Sequence, residues 1–256
     1  MTKIFLALMI NASSIAHAEI KTQTIAYKHG TTELQGYLAY DDTKKSKLPG
    51  IIVVHEWKGH GDYVRRRAEM LAKLGYVAFA IDMYGKGIFA KDHQEAAKLA
   101  GMYKGDRKLM RERALSGLEV LKKQKNVDTS NLAAIGYCFG GTTVLELARA
   151  GAPLKGVASF HGALDTPMPA QPGQVKAKVL VLHGADDKHV NQDLEAFKDE
   201  MRNAKADWQL TAYGGAVHSF TVPEAGNDPT KGAAYNEKAD KRSWQAMKSF
   251  FEEIFK

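Results

Sequence analysis

The spacing of apolar residues changes several times along the chain, and each change predicts an element. The segments TQTIAYKHG and TELQGYLAYD both alternate at period two around Gly30-Thr31, which reads as a β-hairpin. The run PGIIVVHE, residues 49–56, does not alternate; a short unbroken apolar stretch rich in Val and Ile predicts a strand buried on both faces. In DYVRRRAEMLAKLG, residues 62–75, Val64, Ala68, Leu71 and Leu74 fall at helical spacing and the pattern stops at Gly75. YVAFAID, residues 76–82, is a second buried strand, and helical stretches follow over 91–103 and 107–125. NLAAIGYC then reads as a strand, GGTTVLELARAG as a helix, and LKGVASFHG and AKVLVLHG as strands. VNQDLEAFKDEMRNAK is a helix, DWQLTAYGG a strand and NEKADKRSWQAMKSFFEEIF a closing helix.

Strands that alternate with helices, yet do not alternate in polarity, imply an α/β fold with a mostly parallel central sheet and helices on both faces. Functional groups in such sheets collect in the loops leaving the carboxyl ends of the strands. Those loops read HEWKGHG, DMYGKG, CFGG, HGAL, HGADDKHV and GGAVHSF, and nearly all the unusual chemistry of the chain falls in them.

Composition adds bounds. The 256 residues are 45% hydrophobic and 25% charged, ordinary for a globular protein, and no repeat or low-complexity linker divides them. The first eighteen stand apart: Lys3, an apolar run Ile4–Ile10 and Ala16-His17-Ala18 form the three parts of a secretory signal peptide. The expectation is a leader over 1–18, cleavage after Ala18, and one domain over 19–256 in the periplasm or outside the cell. The apolar run is too short to span a bilayer, for which about 20 residues are needed, so no membrane association is expected once the leader is removed. The 36 Lys and Arg exceed the 29 Asp and Glu. They are scattered and accompany no basic-aromatic motif, which argues against nucleic acid as a partner.

Export usually brings disulfides, but the chain has a single cysteine, Cys138. A lone thiol in an exported protein is buried filler or a reactive group. Its setting favours the second: Gly136-Tyr137-Cys138-Phe139-Gly140 has the glycine–x–nucleophile–x–glycine spacing of a nucleophile elbow, between a strand and a helix. The helix N-terminus just beyond favours a thiolate. Two later loops supply partners, Asp187 in HGADDKHV and His218 in GGAVHSF, with Asp186 as the adjacent alternative acid. The order nucleophile, acid, histidine is that of α/β-hydrolases. In that arrangement His218 takes the thiol proton and Asp187 orients the imidazole. The loop HEWKG leaves the first buried strand where one oxyanion-hole donor originates; the donors would be the backbone N–H groups of Trp57 and Phe139.

HEWKG, GYCFGG, HGADDKHV and VHSF, in this order and spacing, resemble the dienelactone hydrolase family of α/β-hydrolases. Most relatives of the fold carry serine in the elbow; cysteine in GYCxGG with an upstream HE is the habit of this family. The resemblance spans roughly 30–255 and implies a Cys138–His218–Asp187 triad without a cofactor or metal. It also implies that Glu56 sits by the thiol and takes part in its activation when substrate binds. A carboxylate beside a thiol opposes thiolate formation. The family grips the dienelactone carboxylate with two arginines. Here DMYGK offers Lys86 at the first place, and HSFTVP offers Val222 and Pro223 around the second. These departures favour a small ester or lactone. Aromatic residues crowd the same loops, and of these Tyr84 and Phe220 are expected to line the substrate pocket beside Lys86.

Other chemistries fit less well. HEWKGH lacks zinc-motif spacing, because His60 lies five residues after His55. GYCFGG lacks the Lys-Ser/Thr of a phosphate-binding loop. A non-catalytic binding protein on a degenerate hydrolase fold is the alternative function, and an intact triad argues against it.

Overall fold

Strand and helix alternate from Ile20 to Ile254 in the computed structural model, which describes residues 19–256; the expected leader, 1–18, lies outside the described residues. The strands are β1 (Ile20–His29), β2 (Thr32–Asp41), β3 (Leu48–Val54), β4 (Val77–Ile81), β5 (Val127–Tyr137), β6 (Gly156–Phe160), β7 (Lys178–Gly184) and β8 (Trp208–Tyr213). The helices are α1 (Asp62–Lys73), α2 (His93–Gly105), α3 (Arg107–Lys122), α4 (Phe139–Arg149), α5 (Lys188–Asn191), α6 (Leu194–Asn203) and α7 (Glu237–Ile254). They form an α/β-hydrolase fold around one sheet of order β1-β2-β4-β3-β5-β6-β7-β8. Among the described residues the antiparallel pairs are β1–β2 and β2–β4, so β2 runs against the other seven strands.

The unbroken apolar runs have a direct explanation. Along β3, Ile52 and Val54 enter the core under α2, α3, α4 and α6, while Ile51 and Val53 enter the core under α1 and α7. Successive side chains point to opposite faces of a strand, and both faces here are covered. Each fully buried Ile or Phe stabilises the fold by roughly 1.5–3 kcal/mol relative to exposure. Helix starts follow the capping residues: Asp92, Asp106 and Asn236 accept from Glu95, Leu109 and Ala239 N–H groups respectively.

One element differs from its expected form. The helix expected over 190–205 divides into α5 and α6. Asn191 is tied back to the strand end, its amide donating to the Ala185 carbonyl at 2.9 Å and its oxygen lying 2.7 Å from His183 Nε2. That tether spends the first turn on holding the Asp187 loop.

The sheet also fixes where a site can form. From β3 the chain crosses to β4 on one side, and β5 lies on the other. The loops after β3 and β5 therefore diverge and leave a crevice, the topological switch point.

Candidate active site

Strand β5 delivers the chain to Cys138, whose φ is +54°, and α4 begins one residue later. A side chain in that region costs about 1–3 kcal/mol, and the surroundings enforce it. A β-carbon at Gly136 would collide with the Gly140 carbonyl, and one at Gly140 with the Val54 carbonyl. The turn is that tight because the strand end, the elbow and the β3 end share one space. Cys138 itself remains partly open to solvent.

Two later loops reach the thiol. His218 Nε2 lies 3.1 Å from Cys138 Sγ, and His218 Nδ1 lies 2.7 Å from Asp187 Oδ2. Asp187 is 1% exposed and its other oxygen accepts the His189 N–H at 3.1 Å, so the carboxylate cannot swing. Asp186 turns the other way and accepts the Gly215 N–H at 3.1 Å. The histidine loop is pinned by His218 N–H to Gly232 O and Ala234 N–H to His218 O. Burial opposes charge on His218, but its contacts with Cys138 and Asp187 outweigh it, and the imidazole is pushed up to about 10. Burial likewise opposes charge on Asp187, and the hydrogen bond from His218 still holds its carboxyl below the usual range. The imidazole is therefore placed to hold a proton between the Cys138 sulfur and the Asp187 carboxylate.

Glu56 leaves β3 next to this pair. It is partly exposed as a residue, yet desolvation dominates at its carboxyl and pushes the pKa up to about 7, against the pull of His218. Among the described residues its carboxyl has no hydrogen-bond partner. Trp57 is half-buried with its carbonyl accepting the Tyr84 hydroxyl at 2.9 Å. The N–H groups of Trp57 and Phe139 have no acceptor among the described residues; at Phe139 the cause is its place in the first helical turn.

The three expected pocket-lining residues lie in three different settings. Phe220 is a correction: it is 0% exposed and packs edge-on to His161 at 5.1 Å, so its ring belongs to the core. The loop turns at Ser219, φ +57°, which sends His218 toward the thiol and Phe220 inward. Tyr84 is 5% exposed, packed on Phe139 and bound to Trp57; its ring supports the loops and offers substrate little surface. Lys86 is exposed, and among the described residues only its backbone N–H is engaged, at Glu33 O.

His55 is not a ligand. Its Nδ1–H donates to Glu56 O at 2.6 Å, Nε2 accepts the Met83 N–H at 3.2 Å, and burial pulls the pKa down to about 4. Among the described residues no group of three or more His, Cys, Asp or Glu side chains is arranged to hold a metal ion. Sequence reading passed over His161. It stands in the HGAL loop after β6, is 1% exposed, and has φ +40°. Its Nδ1 lies 3.1 Å from the Cys138 nitrogen and its Nε2 lies 2.7 Å from Thr221 Oγ1. The signal was a histidine in a strand-end loop beside the elbow.

The profile of the dienelactone hydrolase family matches residues 34–255. A solved structure called m3DLH is 41% identical, with a TM-score of 0.87, over 92% of this chain and 98% of that one. A dienelactone hydrolase-like promiscuous phosphotriesterase from metagenomic libraries is 40% identical, also with a TM-score of 0.87, over 93% of this chain and 99% of that one. An uncharacterized protein of Caenorhabditis elegans is 37% identical over 150 residues, 57% of this chain and 94% of that protein.

Proposed function

The chain belongs to the dienelactone hydrolase family, and from that premise we propose that it cleaves a small carboxylic ester or lactone with Cys138 as nucleophile. The observation that carries this reading is the continuous line Cys138 Sγ–His218–Asp187, at 3.1 and 2.7 Å. Sγ attacks the carbonyl carbon as a thiolate, and the C=O pair moves onto oxygen. The unpaired N–H groups of Trp57 and Phe139 receive that oxyanion; such donors contribute roughly 3 kcal/mol each. Collapse breaks the ester C–O bond, and His218 Nε2–H protonates the departing alkoxide, leaving a thioester on Cys138. Water then gives a proton to His218 as its oxygen attacks the thioester carbon, and the acid departs with the thiolate restored. Asp187 keeps the imidazole in the tautomer both steps need.

The family resemblance assigns Glu56 to thiol activation. Its pKa of about 7 supports that role, because a carboxyl near neutrality can change charge as substrate displaces water. The test is p-nitrophenyl acetate turnover: Cys138→Ala should lose about 10⁴-fold or more, and a loss under tenfold would sink the triad. Lactones and a phosphotriester belong in the same panel, the latter because a relative 40% identical is called a promiscuous phosphotriesterase. We also propose that the protein acts in the periplasm or outside the cell; the mature N-terminus should then read Glu19.

A further inference from the structure

We propose that His161 is a positioning residue, whose neutral imidazole fixes the Cys138 peptide and buttresses the His218 ring. The inference rests on the triad reading above and concerns what holds that triad in place.

The geometry fixes the tautomer of His161. The Cys138 N–H can only donate, and it is shared between Phe160 O at 3.0 Å and His161 Nδ1 at 3.1 Å. Nδ1 must therefore be bare and Nε2 must carry the hydrogen. Nε2–H donates to Thr221 Oγ1 at 2.7 Å, and the Thr221 hydroxyl donates onward to Tyr63 Oη at 2.6 Å. The Tyr63 hydroxyl hydrogen goes to the Thr221 carbonyl at 3.2 Å. Arg67, which can only donate, closes the far end: Nε gives to Tyr63 Oη at 3.1 Å, and Nη2 gives to Thr221 O at 2.9 Å and to Asp240 Oδ1 at 2.6 Å. Cys138 N–H fixes the His161 tautomer, and the arrangement that uses every contact at the other end runs from Thr221 Oγ1 to Tyr63 and from Tyr63 to the Thr221 carbonyl. Thr221 is 0% exposed and Arg67 5% exposed, which shields the His161 end and the guanidinium, while Tyr63 between them is partly exposed.

Two further observations join this relay to catalysis. The His161 ring meets the His218 ring edge-on, with centroids 5.4 Å apart, so one side chain touches both the nucleophile backbone and the base. Its φ of +40° is a conformation that disfavours a β-carbon. A strained histidine retained at this point indicates a use for the side chain. A second positive charge here would also face the His218 imidazolium and Arg67. Burial and those two neighbours hold His161 well below its ordinary pKa.

The test uses the full mature protein. Thr221→Val keeps the shape and removes the acceptor for Nε2–H; Thr221→Ser keeps the hydroxyl. For p-nitrophenyl acetate, Thr221→Val should lose about tenfold in kcat with KM within about twofold, and Thr221→Ser should retain at least half of kcat. Equal kcat in the valine and serine variants would overturn the proposal. Imidazole ¹⁵N spectra of the wild type give a reading that needs no folded variant. His161 should show bare Nδ1 and Nε2–H unchanged from pH 5 to 9, and an Nδ1–H form or a titration in that window would overturn the assignment. Wild-type-like turnover by Thr221→Val beside an inactive Cys138→Ala sinks this inference alone; undiminished turnover by Cys138→Ala sinks the triad reading first.

Discussion

Helix α4 carries a buried polar cluster at each end, and the two are built on opposite terms. At its C-terminal end Glu146, 0% exposed, accepts from Arg111 Nε at 2.8 Å and Arg149 Nη1 at 3.0 Å. Arg149 also binds Glu200 and the Leu164 carbonyl, while Arg111 reaches the Met168 carbonyl and Glu200 accepts the Ala170 N–H. Every charge is paired, and the long β6–β7 connection is stapled to α3, α4 and α6 as a result. At the N-terminal end the charges depend on where a proton sits. Cys138 and His218 share one, and the Glu56 carboxyl beside them accepts no hydrogen bond from the described residues. A buried ion pair recovers its desolvation cost only when geometry satisfies both partners. One end of the helix meets that condition and is inert; the other leaves a carboxyl unsatisfied and near neutrality, the state useful for proton chemistry.

The comparison breaks most decisively at the elbow. Gly136→Ala puts a β-carbon against the Gly140 carbonyl, and the variant should lose more than about 4 kcal/mol of stability and fail to accumulate as folded protein. A melting temperature within a few degrees of wild type would show that the turn has slack. Arg149→Met tests the other end. Removing one partner of a buried pair should cost about 3–5 kcal/mol in a denaturant titration, while kcat of the protein that remains folded stays within about threefold. A large fall in kcat would mean the two clusters are coupled through the helix.

Glu56→Gln should move stability the opposite way. Its carboxyl pKa is raised from 4.5 to about 7 in the folded state, so the fold favours the protonated form. Below about pH 4.5 folded and unfolded chains both hold that proton, and the variant and wild type should match. As pH rises from about 4.5 to 7 the wild type loses ground, by at most about 3 kcal/mol, less to the extent that water reaches this partly exposed residue, and above 7 the gap levels off. Melts at pH 5 and pH 8 measure the gap; a gap that shrinks with pH would reverse the assignment. The smallest effect is expected at Lys86→Ala. An exposed lysine contributes a point charge worth about 1 kcal/mol or less, so carboxylate-bearing esters should lose up to about fivefold in kcat/KM and neutral esters nothing. Equal losses on both would remove Lys86 from substrate recognition.

Much of this was legible in the sequence for definable reasons. The parallel sheet could be read because strands covered on both faces show no polarity alternation. The elbow could be read because a steric requirement writes itself directly as glycine spacing. Asp187 could be preferred but Asp186 not dismissed, since the choice depends on the cap of the four-residue α5 and on its Asn191 tether. Phe220 was misplaced because Ser219 reverses the direction of the loop, and nothing in the residue type announces a positive φ there. The relay was invisible because its members are far apart in the chain: 60 residues separate His161 from Thr221, 158 separate Tyr63 from Thr221, and 173 separate Arg67 from Asp240.

The crowding around Gly136 and Gly140 is crowding of main chain against main chain, and it excludes side chains without regard to which atom stands at the summit. The pedestal is thus finished before its ornament is chosen. A swap of sulfur for oxygen there would leave the scaffold untouched and alter only reactivity, whereas one added methyl two steps to either side would dismantle the support. The residue at 138 can change without disturbing the turn, whereas 136 and 140 are held to glycine by the main chain.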